Sequence, residues 1–167
     1  MKKIKPILLS ILMLFTLLAA PYRAEAAVSG NTADNSKITY FDDGSYMVTT
    51  IEDEPGSKKP SGIQPYAAST TVSKSKTARF YNSENQVMWY VKVTGSFTYT
   101  GSSAKCNSAS VTAESLNNTW KVSKLSAAHS GATAYASATG KQYFLDTVVN
   151  TISKTVSLTC SPTGIFS

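Results

Sequence analysis

The sequence predicts an all-β fold: an antiparallel six-stranded β-sandwich or small barrel, preceded by an N-terminal β-hairpin. Three observations carry this expectation. After residue 26 no stretch shows the apolar period of a helix, whereas runs of about ten to fifteen residues alternate apolar and polar positions. Ser, Thr, Val and aromatic residues dominate those runs, and they suit a pleated, half-buried surface. Short polar or Gly-bearing turns separate the runs at fairly even spacing, as in antiparallel sandwiches and barrels.

Residues 1–26 stand apart and read as a secretory signal peptide. Lys2, Lys3 and Lys5 give a positive start, residues 7–20 form an apolar stretch of 14, and Ala24-Glu25-Ala26 supplies small residues for cleavage between Ala26 and Ala27. A membrane span needs about 20 apolar residues, so the stretch is short for an anchor. No Cys lies near the cleavage point to take a lipid. The expected location is therefore secreted and extracellular.

Residues 27–36 are small and polar and are expected to be flexible. Two β-prone runs follow, 37–41 and 46–51, around Asp42-Asp43-Gly44-Ser45. Asp-Gly suits a type I′ turn, which predicts a hairpin with Phe41 opposite Tyr46 and Tyr40 opposite Met47. Residues 52–62 carry Pro55, Gly56, Pro60 and Gly62 and read as a linker, with Lys58-Lys59 as a candidate processing point. The expected organisation is signal peptide 1–26, acidic hairpin and linker 27–65, and basic all-β domain 66–167.

Six strands are expected in that domain: 70–81, 86–100, 104–114, 119–128, 132–145 and 148–160. Trp89, Val91, Val93, Phe97 and Tyr99 share one face of the second, where Gly95 marks a bulge or a close contact. Trp120 and Val122 share a face of the fourth, and Ile152, Val156, Leu158 and Cys160 a face of the last. The expected core is Trp89, Trp120, Val91, Val93, Phe97, Val122, Val156 and Leu158.

Charge is unevenly spread. Residues 27–65 hold three lysines against six acids, and residues 66–167 hold eight lysines and one arginine against Glu84, Glu114 and Asp146. The acidic part is either a removable pro-segment, an intramolecular partner of the basic part, or a separate solvated surface. Lys92, Lys121, Lys124, Lys141 and Lys154 are the residues nominated to bind a polyanion; the plainer reading is that strand lysines protect sheet edges from pairing. The two cysteines, Cys106 and Cys160, predict one disulfide closing a loop of about 54 residues, with free thiols as the alternative.

Several sequence elements together resemble an uncharacterised family of small exported proteins of Gram-positive bacteria. They are Tyr40-Phe41-Asp42-Asp43-Gly44-Ser45-Tyr46, the acidic Pro-bearing linker, Phe80-Tyr81-Asn82-Ser83, Val93-Thr94-Gly95-Ser96-Phe97-Thr98-Tyr99 after Trp89, Thr119-Trp120-Lys121-Val122, and Thr155-Val156-Ser157-Leu158-Thr159-Cys160-Ser161-Pro162. The resemblance implies secretion, a Thr/Ser-rich all-β domain and a conventional Cys pair, and it brings no activity or functional residues.

No catalytic, metal or cofactor pattern stands out. His129 is the only histidine and lies beside Ser130-Gly131 without a Gly-x-Ser-x-Gly elbow. Nothing in the spacing of Glu84, Glu114 and Asp146 pairs two of them as a glycosidase requires. Asp42-Asp43-Gly44-Ser45 lacks the spacing and distal Glu of a calcium loop. The functional expectation is a secreted, non-catalytic interaction module at the cell envelope or in the extracellular space. Its expected partner is an anionic wall polymer, a membrane surface or another protein, not nucleic acid. The alternative is a secreted antimicrobial antagonist with an acidic pro-segment.

Overall fold

The computed structural model describes residues 29–32, 36–55 and 69–167; the expected signal peptide, the expected Ala26–Ala27 cleavage point and the candidate processing point Lys58-Lys59 lie outside them. Nine strands follow in chain order: β1 Ser29–Thr32, β2 Ser36–Tyr40, β3 Tyr46–Asp53, β4 Thr70–Tyr81, β5 Val87–Tyr99, β6 Ala104–Ser115, β7 Trp120–Ser130, β8 Thr133–Phe144 and β9 Thr147–Thr159. They form a six-stranded sheet, β1-β2-β3-β4-β5-β6, and a three-stranded sheet, β7-β8-β9. Every paired neighbour is antiparallel and adjacent in sequence. Neither sheet closes on itself, so the fold is a sandwich rather than a barrel.

The core lies between the sheets and draws on both. Trp89, Val91, Val93 and Phe97 of β5 and Leu158 of β9 are fully buried, with Trp120 and Val156 beside them. Val122 packs on this cluster only partly buried. Met47 and Phe80 also belong to it, so β3 and β4 supply core as well as edge. β8 contributes small residues, Ala134, Ala136, Ala138 and Gly140, because the large rings of β5 lie against it. A Cβ on Gly140 would fall 2.5 Å from Trp89 Cε2, and one on Gly95 would fall 2.4 Å from the Phe97 ring and 3.0 Å from Ala134. Gly95 is thus a close contact; the nearby bulge is one step on, between Ser96 and Phe97.

Four expectations change. Residues 29–32, inside the stretch expected to be flexible, pair with β2 as a short edge strand. The first hairpin is shifted by one residue: Tyr40 is opposite Tyr46 and Thr39 is opposite Met47. Only Gly44 takes a positive φ, +79°, so the loop is a turn from Phe41 to Gly44 closed by Phe41 N–H on the Ser45 carbonyl at 2.9 Å. A type I′ turn would need positive φ at both central residues. Asp43 instead uses its carboxylate to hold the Ser45 N–H at 3.0 Å. Third, His129 lies within β7, opposite Ala134, rather than in a turn.

The fourth correction concerns the cysteines. The expected Cys106–Cys160 disulfide is not formed here; both are buried free thiols. Each Sγ lies 3.3 Å from a carbonyl oxygen of its own segment, Ser108 for Cys106 and Ser161 for Cys160, instead of bonding to the other sulfur. The two nevertheless flank one turn. Cys106 N–H donates to the Gly131 carbonyl at 2.8 Å, and Cys160 N–H to the neighbouring Ala132 carbonyl at 3.0 Å. Burial pushes both thiols above their ordinary pKa, and Cys106 adds to the shift at Cys160.

The acidic hairpin is built into the larger sheet. β3 pairs with β4 over eight residue pairs. At the end of that ladder three consecutive acids each meet a cation of the basic part: Glu52 with Arg79 at 3.1 Å, Asp53 with Lys74, and Glu54 with Lys92 at 3.3 Å. These pairs are partly exposed, so each stabilises by about 0–1 kcal/mol. Their larger effect is on charge distribution. Among the described residues up to 119, seven acids stand against six cations, whereas residues 120–167 hold four lysines against Asp146 alone. The acidic and basic halves of the sequence become a near-neutral sheet facing a cationic one.

Candidate functional site

An antiparallel meander sends alternate turns to opposite ends. The β2–β3, β4–β5, β6–β7 and β8–β9 turns therefore gather at one end of the sandwich, away from the cysteines. Asx-type bonds pin three of them. Asp43 holds Ser45, Asn82 Oδ1 accepts from the N–H groups of Glu84 and Gln86 at 3.1 and 2.8 Å, and Asn117 Oδ1 accepts from Thr119 N–H at 2.9 Å. These are the residues whose side chains bond their own backbone two residues on.

Between the turns lies a cleft of about 270 Å³. Phe80, Met88 and Trp120, all nearly buried, form its floor, and Asp43, Asn82 and Asn117 stand at its rim. Its wall comes from one row of the smaller sheet. Trp120, Gln142 and Asn150 are cross-strand neighbours in β7, β8 and β9, in phase with core residues Ala138 and Gly140. Met88 reaches the floor because it is the extra residue of a bulge between the Phe80–Trp89 and Tyr81–Val87 pairs. Beneath it the rings pack on one another, Phe80 tilted against Trp120 at 5.2 Å and Trp89 stacked with Trp120 at 6.4 Å.

The Gln142 and Asn150 side-chain amides make no hydrogen bond among the described residues, although their row faces the core. Each amide offers two donors and two acceptor lone pairs. Amides convergent over an apolar, aromatic floor can hydrogen-bond hydroxyls while the floor packs against C–H groups. Sequence reading missed both residues. The signal was there: Asn150 continues the face of Ile152, Val156 and Leu158, and a polar residue in phase with the core asks for a partner.

The fourth turn is different. Phe144 pairs with Thr147, leaving the two-residue loop Leu145-Asp146 with φ of +45° and +63°. These are type I′ signs, normally met by Asn-Gly or Asp-Gly. A branched Leu in this conformation costs about 1–3 kcal/mol. Phe144 is 67% exposed, Leu145 83%, Val148 42% and Val149 55%.

The five nominated lysines do not share one face. Lys121 and Lys141 do come together, directly opposite on the outer face of the smaller sheet, with Lys121 Nζ 4.9 Å from the centre of the Tyr143 ring. Lys124 sits in the β7 bulge with φ +54°. Lys92 is on the outer face of the larger sheet, paired with Glu54. Lys154 lines a separate groove of about 240 Å³ between β9 and the Thr39–Met47 region. There it approaches Lys76, whose ammonium is held below its ordinary pKa first by burial and then by Lys37 and Lys154.

Other titratable groups are dispersed. Glu84 and Asp146 occupy different turns, Glu114 lies opposite Tyr90 on β5, and His129 is exposed near the far end. Among the described residues no three His, Cys, Asp or Glu side chains are grouped to hold a metal ion. No helix among them is long and apolar enough to cross a membrane.

No family model matches the chain, and no curated protein or solved structure matches it either. The resemblance to small exported proteins rests on the quoted residues, and the functional reading rests on the turn end itself.

Proposed function

We propose that this chain is an exported, non-catalytic β-sandwich that acts as an interaction module at the cell envelope, binding through the cleft at its turn end. The observation that carries the reading is the Trp120–Gln142–Asn150 row: two unpartnered amides beside an indole over an apolar floor. That chemistry suits a polyhydroxylated ligand such as a glycan chain. Support for export comes from the n-region, the apolar stretch and the Ala-x-Ala of residues 1–26.

The antagonist alternative draws less support. A removable pro-segment should be dispensable to the fold, yet the acidic hairpin supplies Met47, 2% exposed, to the core.

The test is a titration of the secreted protein with soluble fragments of purified wall glycan, read by tryptophan fluorescence. Saturable binding that weakens at least tenfold in Gln142→Ala/Asn150→Ala supports the cleft. Binding unchanged in that variant, or no response, refutes it.

A further inference from the structure

We propose that the β8–β9 tip docks the molecule on a lipid bilayer: Phe144, Leu145, Val148 and Val149 enter the acyl boundary while Lys121 and Lys141 meet anionic headgroups. This goes beyond the cleft reading and uses different side chains.

Four large apolar residues are exposed within six positions of one hairpin. Leu145 is the most exposed large apolar residue among those described, and it occupies a left-handed position that glycine or asparagine would fill without strain. The other three turns at this end carry short polar residues that bond their own backbone. The fold therefore gains nothing from Leu145 that Asn would not supply, and its exposed side chain is left for a contact outside the chain. Val149 is also the unpaired residue of a bulge, between the Gln142–Asn150 and Tyr143–Val148 pairs.

A bilayer fits this tip better than a protein groove does, for reasons of charge and spacing. Apart from Asp146, the β7–β9 sheet has no acid, whereas Lys74, Arg79 and Lys92 of the larger sheet are already paired. Lys121 and Lys141, on the sheet that carries the tip, have no acid opposite them. Lys141 is three residues behind Phe144, about 10 Å at about 3.3 Å per residue. Interfacial apolar groups sit about 5–10 Å into the headgroup and acyl boundary, so the lysines would lie at phosphate depth. Tyr143, under Lys121, places an amphipathic ring at the boundary between them. Asp146 opposes docking and weakens it.

The experiment is co-sedimentation of the mature protein with phosphatidylglycerol/phosphatidylcholine vesicles and with phosphatidylcholine vesicles alone. The expected result is at least tenfold stronger partition onto the anionic vesicles, reduced by salt. Leu145→Asn should keep or raise the unfolding midpoint while losing at least tenfold in partition, which separates docking from folding. Lys121→Gln/Lys141→Gln should lose the preference for anionic lipid, and Asp146→Asn should strengthen binding. Absence of vesicle binding, or binding that Leu145→Asn leaves intact, overturns the proposal; so does a tip that captures a protein but no vesicle. The glycan titration contains no lipid, so either reading can fail without the other.

Discussion

Replacing Met47 by Ala tests whether the acidic hairpin is part of the folded unit. Met47 lies in β3, opposite Phe80 on one side and Thr39 on the other, and is 2% exposed. Truncating a buried Met to Ala costs about 2–5 kcal/mol, because the lost transfer energy and the cavity add. Against a total stability of about 5–15 kcal/mol this is a large fraction. With a urea dependence of about 2 kcal/mol per molar, a loss of about 3 kcal/mol lowers the midpoint by about 1.5 M. Equilibrium unfolding followed by the fluorescence of Trp89 and Trp120 reads it directly, since both lie in the same core. Val48→Ala, one residue along and opposite Arg79, is the control and should cost well under half as much. A Met47→Ala loss below about 0.5 kcal/mol, the range of ordinary surface substitutions, would show that the hairpin does not unfold with the sandwich. A pro-segment would then be reinstated.

Three further outcomes are expected. Gly140→Ala places a methyl against the fully buried Trp89 indole and should destabilise by about 1–3 kcal/mol; an unchanged melting temperature would contradict the contact. A Ser75 hydroxyl close to the Glu54 carboxylate, short of a well-formed hydrogen bond, and the neighbouring Lys92 hold that carboxyl below its ordinary value of 4.5, against the opposing effect of burial. Its stabilisation is therefore present above that value and lost as pH falls through the folded-state pKa, so Glu54→Gln should flatten the acid limb of a stability–pH curve. The raised pKa values of Cys106 and Cys160 work in the opposite sense: their contribution is complete below about pH 9 and lost as pH rises through the folded values. Equilibrium unfolding measured as pH rises should show this alkaline loss, and a flat curve would contradict it.

Most of the strand order was legible because the apolar positions of β5 and β9 keep a strict two-residue period. Trp89, Val91, Val93, Phe97, Val156 and Leu158 could be placed in the core from that period alone. Bulges broke the reading where it failed. Met88, which strict alternation would put opposite the Trp89 face, is buried because an extra residue in β5 turns it inward. Turn chemistry misled at Asp42-Asp43-Gly44, where an Asx bond from Asp43 competed with the two-residue turn and moved the register by one. The site was the least legible part. Its amides sit 22 to 30 positions from Trp120, and only the sheet brings them into one row. Nor does composition show which lysines lose their charge to a neighbour; Lys92 and Lys121 look alike until Glu54 is seen beside the first.

The sequential pairing of strands has a consequence for how such a chain comes to be folded. Apart from β1 and β7, which open the two sheets, each strand pairs with the strand just before it, so no closure across the whole length is needed before contacts begin to form. All-β domains are slow folders when their pairings are distant in sequence, and this topology removes most of that delay. A chain that emerges N-terminus first can add hairpins in the order they emerge, with β1–β6 already assembled as a template. The long-range step comes with the second sheet, which must bring Trp120 to Phe80, Gly140 to Trp89 and, last, Val156 and Leu158 of β9 into the same core. The final hairpin therefore seals the core, and the one that seals it also carries the exposed tip.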